Sequence, residues 1–324
     1  MHFEEILIES TPVTTLNPVA LLYNLKKLSV PGLQVSDFSP VGQAIELEVL
    51  DISNTPVESL EFATTLNHLT ELNIEGTQVT DLSLLQDLSD LKYVYADGSG
   101  IDDQDVNTLM DKNPGCVVIY KSGELINWWT SLPDPWKSLF ISGYSLHSPP
   151  TKEQLHQLFY LDRFEIDKNR DITTMEPLRQ LVHLEVLKLN ELNTGDLQYI
   201  SGLSNLKELH CTRMPINTLS PISSLLNLEV LNLEDTPIED MKALSSLINL
   251  RQLIISGTQI KSLKPAADLQ GLESIEINNT QVKSISQLES LPSLKSLSCF
   301  NTRISSKSIE KFQKEKPECK VVYY

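Results

Sequence analysis

Leu47-Glu48-Val49-Leu50-Asp51-Ile52-Ser53-Asn54-Thr55-Pro56-Val57 is matched, 22 residues later, by Leu69-Thr70-Glu71-Leu72-Asn73-Ile74-Glu75-Gly76-Thr77-Gln78-Val79. Each apolar slot that defines the first stretch is apolar again in the second. The alternation of Leu50 with Ile52 has the two-residue period of a short strand. Beyond it, Leu82, Leu85 and Leu88 recur at every third residue, which fits a 3-10 turn better than an α-helix. The frame runs back to Leu25 and Phe3 and forward to Leu91. It returns at Leu161 with a unit of 23 residues, then at Leu184, Leu206, Leu228, Leu250, Leu272 and Leu294 without a gap. Units of this size bury their apolar faces only against one another, so the pattern predicts a stacked repeat array.

Each unit reads L-x-x-L-x-L-x-x-T-x-I/V-x-x-L-x-x-L-x-x-L. This pattern resembles the leucine-rich repeat, most closely its short bacterial, internalin-like class, which carries Thr or Asn at the ninth slot. Thr55, Thr77, Thr236, Thr258, Thr280 and Thr302 stand there in this chain. Leu33, Ser99, Leu192 and Met214 depart from it, and a side-chain bond to the turn backbone is expected to be lost or altered at those four. The resemblance implies an α/β right-handed solenoid, with a parallel sheet on its concave face and 3-10 or short turns on its convex face. It implies little chemistry, because function sits in sites rather than folds.

The frame breaks between Ile101 and Leu161, and the break points to two arrays. Ile101 through Tyr120 matches Ile304 through Tyr323: Pro114 and Pro317, Cys116 and Cys319, and the two tyrosines fall at the same offsets. The second copy closes an array, so the first is expected to close one too. In each, Asp102 or Ser305 caps a short helix. Val106 and Leu109, or Ile309 and Phe312, face the last repeat, and a final strand covers the open edge. The expected domains are therefore 1–122 and 123–324, the second with an N-terminal helical cap at 123–160 and a C-terminal cap at 304–324. Within 123–160, Pro133 and Pro135 split two helices. Thr151 and Gln154 form a capping box that opens a third helix through Tyr160. Trp128, Trp129 and Trp136 all lie here and read as cap core. The first array shows no such N-terminal cap, which leaves Phe3, Ile6 and Ile8 as an expected edge for self-association or docking.

Of 324 residues, 43 are acidic and 26 basic, a formal charge of −17. That balance disfavours nucleic acid and anionic membranes as partners. The charge is uneven: residues 1–122 hold 19 acidic and 5 basic side chains and no arginine. No apolar run of membrane-spanning length and no signal segment is visible. The default location is therefore cytoplasmic, or secreted if an upstream segment was removed.

No catalytic constellation appears: there is no P-loop, dinucleotide fingerprint, H-E-x-x-H or nucleophile elbow. The expectation is a non-enzyme without cofactor or metal. Cys211 and Cys299 occupy the sixth slot, where Leu233 and Ile255 stand in other units, and read as buried thiols. Cys116 and Cys319 are equivalent cap residues. Asp167-Lys168-Asn169-Arg170-Asp171 begins like a calcium loop but has Ile172 and Leu178 where Gly and Glu belong. The acidic run from Asp97 to Asp105 is explained by a helix dipole. His68 and His183 fall in one loop slot and are expected to be exposed.

The fourth and sixth slots point into the core, and the third, fifth, seventh and eighth outward. On the second array the outward columns offer Arg163, Val186, Lys188, Glu208, His210, Arg213, Val230, Asn232, Gln252, Ile254, Glu276 and Phe300. On the first, Val49, Asp51, Tyr93 and Tyr95 form a smaller patch. Apolar Val186, Val230 and Ile254 inside a polar rim predict a protein- or peptide-binding face. The competing readings are a carbohydrate-binding or enzyme-associated surface protein, and a structural spacer.

Overall fold

The computed structural model describes residues 3–8 and 12–323, which form two compact units. Unit 1 is Met1–Thr130 with His147–Gln157, and unit 2 is Ser131–Leu146 with Leu158–Tyr324.

In unit 1, β1 (Glu5–Leu7), β2 (Lys27–Ser29), β3 (Val49–Asp51), β4 (Glu71–Asn73), β5 (Tyr93–Tyr95) and β6 (Val117–Ile119) make a parallel sheet in chain order. The pairing register is the repeat itself: Lys27, Val49, Glu71 and Tyr93 are successive Cα partners. A one-residue slip would expel every leucine from the core, so the hydrophobic pattern fixes this register. Leu28, Leu50 and Leu72 are fully buried; Leu50 and Leu72 lie between half-buried neighbours, Leu28 between exposed Lys27 and buried Ser29. The return path is a run of three-residue steps. Ala63 N–H donates to Leu60 O (2.9 Å), Leu66 to Ala63 O (3.0 Å) and Leu69 to Leu66 O (3.0 Å). All four residues are 0% exposed, so leucine spacing and 3-10 hydrogen bonding have the same period.

The ninth-slot threonines close each turn. Thr55 Oγ1 donates to Ile52 O (2.6 Å), and Thr77, Thr236, Thr258, Thr280 and Thr302 repeat the bond three residues back. Ser99 keeps the bond as well, to Ala96 O (2.8 Å). Leu33, Leu192 and Met214 replace it with buried apolar side chains. The eighth slot turns left-handed in every unit after the first: Gly32, Asn54, Gly76 and Gly98 in unit 1, then Lys168, Glu191, Arg213, Asp235, Gly257, Asn279 and Asn301 in unit 2, all with positive φ.

The first array ends as its sequence predicts. α1 (Asp103–Lys112) starts at Asp102, whose carboxylate accepts from Gln104 and Asp105 N–H, and Asp105 returns the bond to Asp102 N–H. Val106 and Leu109 are buried. Then α2 (Ser122–Ser131), α3 (Asp134–Tyr144) and α4 (Lys152–Phe159) follow; the first break falls at Pro133, while Pro135 lies in the first turn of α3 rather than at the split. Segment 123–160 is apportioned between the units rather than belonging whole to the second. α3 is the aromatic cap of unit 2: Trp136 stacks on Phe164 (6.1 Å) beside Phe140, and its Nε1 donates to Thr174 O (3.0 Å).

In unit 2, β7 (Arg163–Asp167), β8 (Val186–Asn190), β9 (Glu208–Thr212), β10 (Val230–Asn232), β11 (Gln252–Ile254), β12 (Ser274–Glu276), β13 (Ser296–Ser298) and β14 (Lys320–Val322) form the second parallel sheet. α5 (Ser306–Glu315), capped by Ser305, buries Ile309 and Phe312. The second slot carries alternating charge down this array: Glu185, Lys207, Glu229, Arg251, Glu273, Lys295. Lys207 pairs with Glu185 (2.7 Å), Arg251 with both Glu229 (3.3 Å) and Glu273 (3.6 Å), and Lys295 with Glu273 (2.6 Å).

Candidate functional site

The third and fifth slots lie on the strands and owe nothing to the core, so they make the concave surfaces. On unit 2, Lys188, Glu208, His210, Val230, Asn232, Gln252, Ile254 and Glu276 are half-buried, while Arg163 is exposed. Phe300 is 47% exposed at the last row. Val186 corrects the expectation of an exposed aliphatic: it is 8% exposed, set between Arg163 and Glu208 on the adjacent strands. That leaves Val230 and Ile254 as the apolar middle of the face. Asn232 is partly committed to its own turn, since its Oδ1 accepts from Glu234 N–H (2.9 Å). Arg213 projects from a left-handed turn and is engaged by Glu191 (3.3 Å) and Asp235 (3.6 Å).

His210 is the chemically distinct member of this face. Its Nε2 is buried with no hydrogen-bond partner, the Glu208 carboxylate standing 3.7 Å away. Burial and then the Lys188 charge lower its pKa, outweighing the opposite pull of Glu208 and Glu165. The imidazole is therefore held neutral with one polar atom unused.

On unit 1, the expected patch of Val49, Asp51, Tyr93 and Tyr95 is only partly open. Tyr93 and Tyr95 are 6.2 Å apart between ring centroids. Gln157 Nε2 reaches the Tyr93 hydroxyl (3.5 Å), and Glu153 lies close enough to Tyr95 for its charge to act on the phenol. Burial, reinforced by Glu153 and Glu71, pushes the Tyr95 phenol up, so it stays protonated. Lys152 Nζ sits between Glu75 (2.9 Å) and Asp97 (2.8 Å). His156, 1% exposed, places Nδ1 2.8 Å from Lys152 O and Nε2 3.1 Å from Tyr120 N–H. Nε2 also lies 2.8 Å from Tyr120 O, so both ring nitrogens face main-chain carbonyls. The α4 residues Lys152, Glu153, His156 and Gln157 thus cover the last rows of this sheet. No repeat signal announces them, because they lie where the frame is broken.

The remaining expected positions are placed as follows. All four cysteines are buried and free. Burial pushes the Cys116 and Cys211 thiols up to about 12 and that of Cys299 up to about 11, which removes them as nucleophiles. His68 is exposed, but His183 is half-buried and packs on Phe159 and Tyr160, 5.0 and 4.9 Å between ring centroids. Among the described residues no group of three His, Cys, Asp or Glu could hold a metal ion, and no helix is long and apolar enough to cross a membrane. β1 is the edge strand of the unit 1 sheet, with Phe3 48% and Leu7 60% exposed and Ile6 and Ile8 half-buried.

Residues 248–290 match a family model described as leucine-rich repeats in two copies. The repeats at 248–290 are leucine-rich repeats. The same 22-residue spacing holds the strands in register on both sheets. Among solved structures, the chain is similar to an internalin from Listeria monocytogenes, with 17% identity over 98% of this chain and 86% of that one and a TM-score of 0.46. It is similar to a second internalin of that organism, with 19% identity over 78% and 81% and a TM-score of 0.39. A leucine-rich-repeat protein of Leptospira interrogans shows 18% identity over 97% and 87%, with a TM-score of 0.41. No curated protein matches this chain at a significant level.

Proposed function

We propose that this protein is a non-enzymatic scaffold that binds a protein or peptide on the concave face of unit 2. Proteins built of leucine-rich repeats are generally protein-binding, and this chain carries them. The observation that supports the reading is the pairing of half-buried Val230 and Ile254 with polar neighbours on the same face, including a His210 nitrogen that lacks a partner. Apolar anchors inside a polar rim provide burial and orientation together. A carbohydrate reader would need aromatics along these columns, and Phe300 at the last row is the one the third, fifth and seventh slots of β8–β13 provide.

The test is a peptide-display selection against the intact chain, followed by affinity measurement of an enriched ligand. Val230→Glu with Ile254→Glu is expected to weaken that ligand at least tenfold, with circular dichroism and thermal unfolding unchanged. Undiminished affinity in the double variant would remove this face as the site.

A further inference from the structure

The sheet face of unit 1 has an open groove of ≈300 Å³, walled by Leu7, Lys27, Val49, Asp51, Glu71 and Tyr95 among others. We propose that this groove binds an extended cationic segment of a protein partner, with one Lys or Arg side chain directed between Asp51, Glu71 and the Tyr95 ring. The site is on the other unit from the face proposed above and does not depend on it.

Charge selects the occupant. Residues 1–122 hold 19 carboxylates against 5 cations. Three of those cations are already engaged: Lys26 with Glu48, Lys27 with Glu5 and Lys121 with Asp103. Asp51 is fixed by Ser29 Oγ (3.0 Å) and by Ser53 N–H (3.0 Å), which orient the carboxylate without neutralising it. Glu71 has no counter-ion among the described residues, and its charge is felt at Tyr95. An anionic or uncharged apolar segment would leave both carboxylates desolvated and unpaired, which is unfavourable.

Shape and precedent agree with charge. Val49 and Leu7 offer apolar surface for the methylene stem of a long basic side chain. The Tyr95 ring lines the groove and lies beside the Tyr93 ring, 6.2 Å between centroids, so it offers an aromatic wall on which a cation can rest. The neighbouring rows already hold an ammonium, because Lys152 lies between Glu75 and Asp97 within the same unit. Since α4 covers those rows, an incoming segment has the rows of β2 to β4 left to it.

Fluorescence anisotropy on the full chain tests this with a labelled eight-residue peptide alternating Lys and Val, against the same peptide with Glu for Lys. The Lys peptide is expected to bind, more weakly at high salt, and the Glu peptide not to bind. Asp51→Asn with Glu71→Gln should weaken binding at least tenfold with the fold intact by circular dichroism. Glu58→Gln with Glu61→Gln, the same charge change outside the groove, should leave it within twofold, as should Val230→Glu with Ile254→Glu on unit 2. Equal binding of both peptides, unchanged affinity in the groove variant, or equal loss in either control variant overturns the proposal.

Discussion

Lys152 Nζ lies 2.8 Å from the Asp97 carboxylate, joining α4 to the last full repeat of unit 1 across 55 residues of chain. Asp97 also accepts from Ser122 N–H (2.8 Å), and its side chain is only 23% exposed. Burial alone would raise its pKa, but the bonds from Lys152 and Ser122 outweigh it and the net shift is downward. Lys152 is shifted upward: burial pulls it down and the bonds to Asp97 and Glu75 overcome that. A lowered carboxylate stabilises the fold above its unfolded value of 3.8 and loses that contribution as pH falls through the folded value. The raised lysine contributes below 10.5 and loses it as pH climbs further. Asp97→Asn is therefore expected to lower unfolding free energy at neutral pH by about 1–2 kcal/mol. It should also flatten the acid limb of the stability curve below pH 4, read by urea melts across the pH range. An unchanged acid limb would show that the pair does not couple to folding.

Thr236 is 1% exposed and its hydroxyl is bonded to Leu233 O at 2.7 Å. Thr236→Val keeps the shape and strands a buried carbonyl, so a loss of about 1–2 kcal/mol is expected in denaturant unfolding. Thr302, half-buried with a 3.0 Å bond, should lose less on the same change. Equal losses would mean that the cost does not depend on how deeply the hydroxyl bond is buried.

Lys168 is exposed with φ +54°, a conformation that L side chains adopt at a penalty. Lys168→Gly removes that strain, partly offset by the greater freedom of glycine in the unfolded chain, and a gain of about 0.5 kcal/mol is expected. Gly76 is the opposite case: at φ +66° an added Cβ would come 2.5 Å from Asn54 Oδ1. Gly76→Ala should lower the melting temperature while Lys168→Gly raises it, both read by calorimetry.

The sheet, the 3-10 steps and the two C-terminal caps were legible because all are written in core-facing slots, where one misplaced leucine is costly. The ninth-slot bond was legible for the same reason, and Ser99 shows that the hydroxyl rather than the threonine is what the turn requires. Outward slots carry no such constraint. Val186 is buried where Val230, in the same slot of a later unit, is half-buried, a difference that its own repeat does not encode. The cover over Tyr93 and Tyr95 comes from α4, and pairings such as Lys152 with Glu75 span 77 residues through a segment that has no period. Of the two concave faces, the sequence marked both and could not tell which rows another part of the chain already fills.

From Glu185 to Lys295 the second-slot ladder of unit 2 has a period twice that of the fold, since sign alternates from one repeat to the next. Excising one repeat, such as 228–249, would keep every leucine in frame yet set Lys207 beside Arg251. Excising two, 228–271, would set Lys207 beside Glu273 and restore attraction. Each such surface pair contributes only about 0–1 kcal/mol, but the arithmetic of sign makes this array grow or shrink most easily by even numbers of repeats.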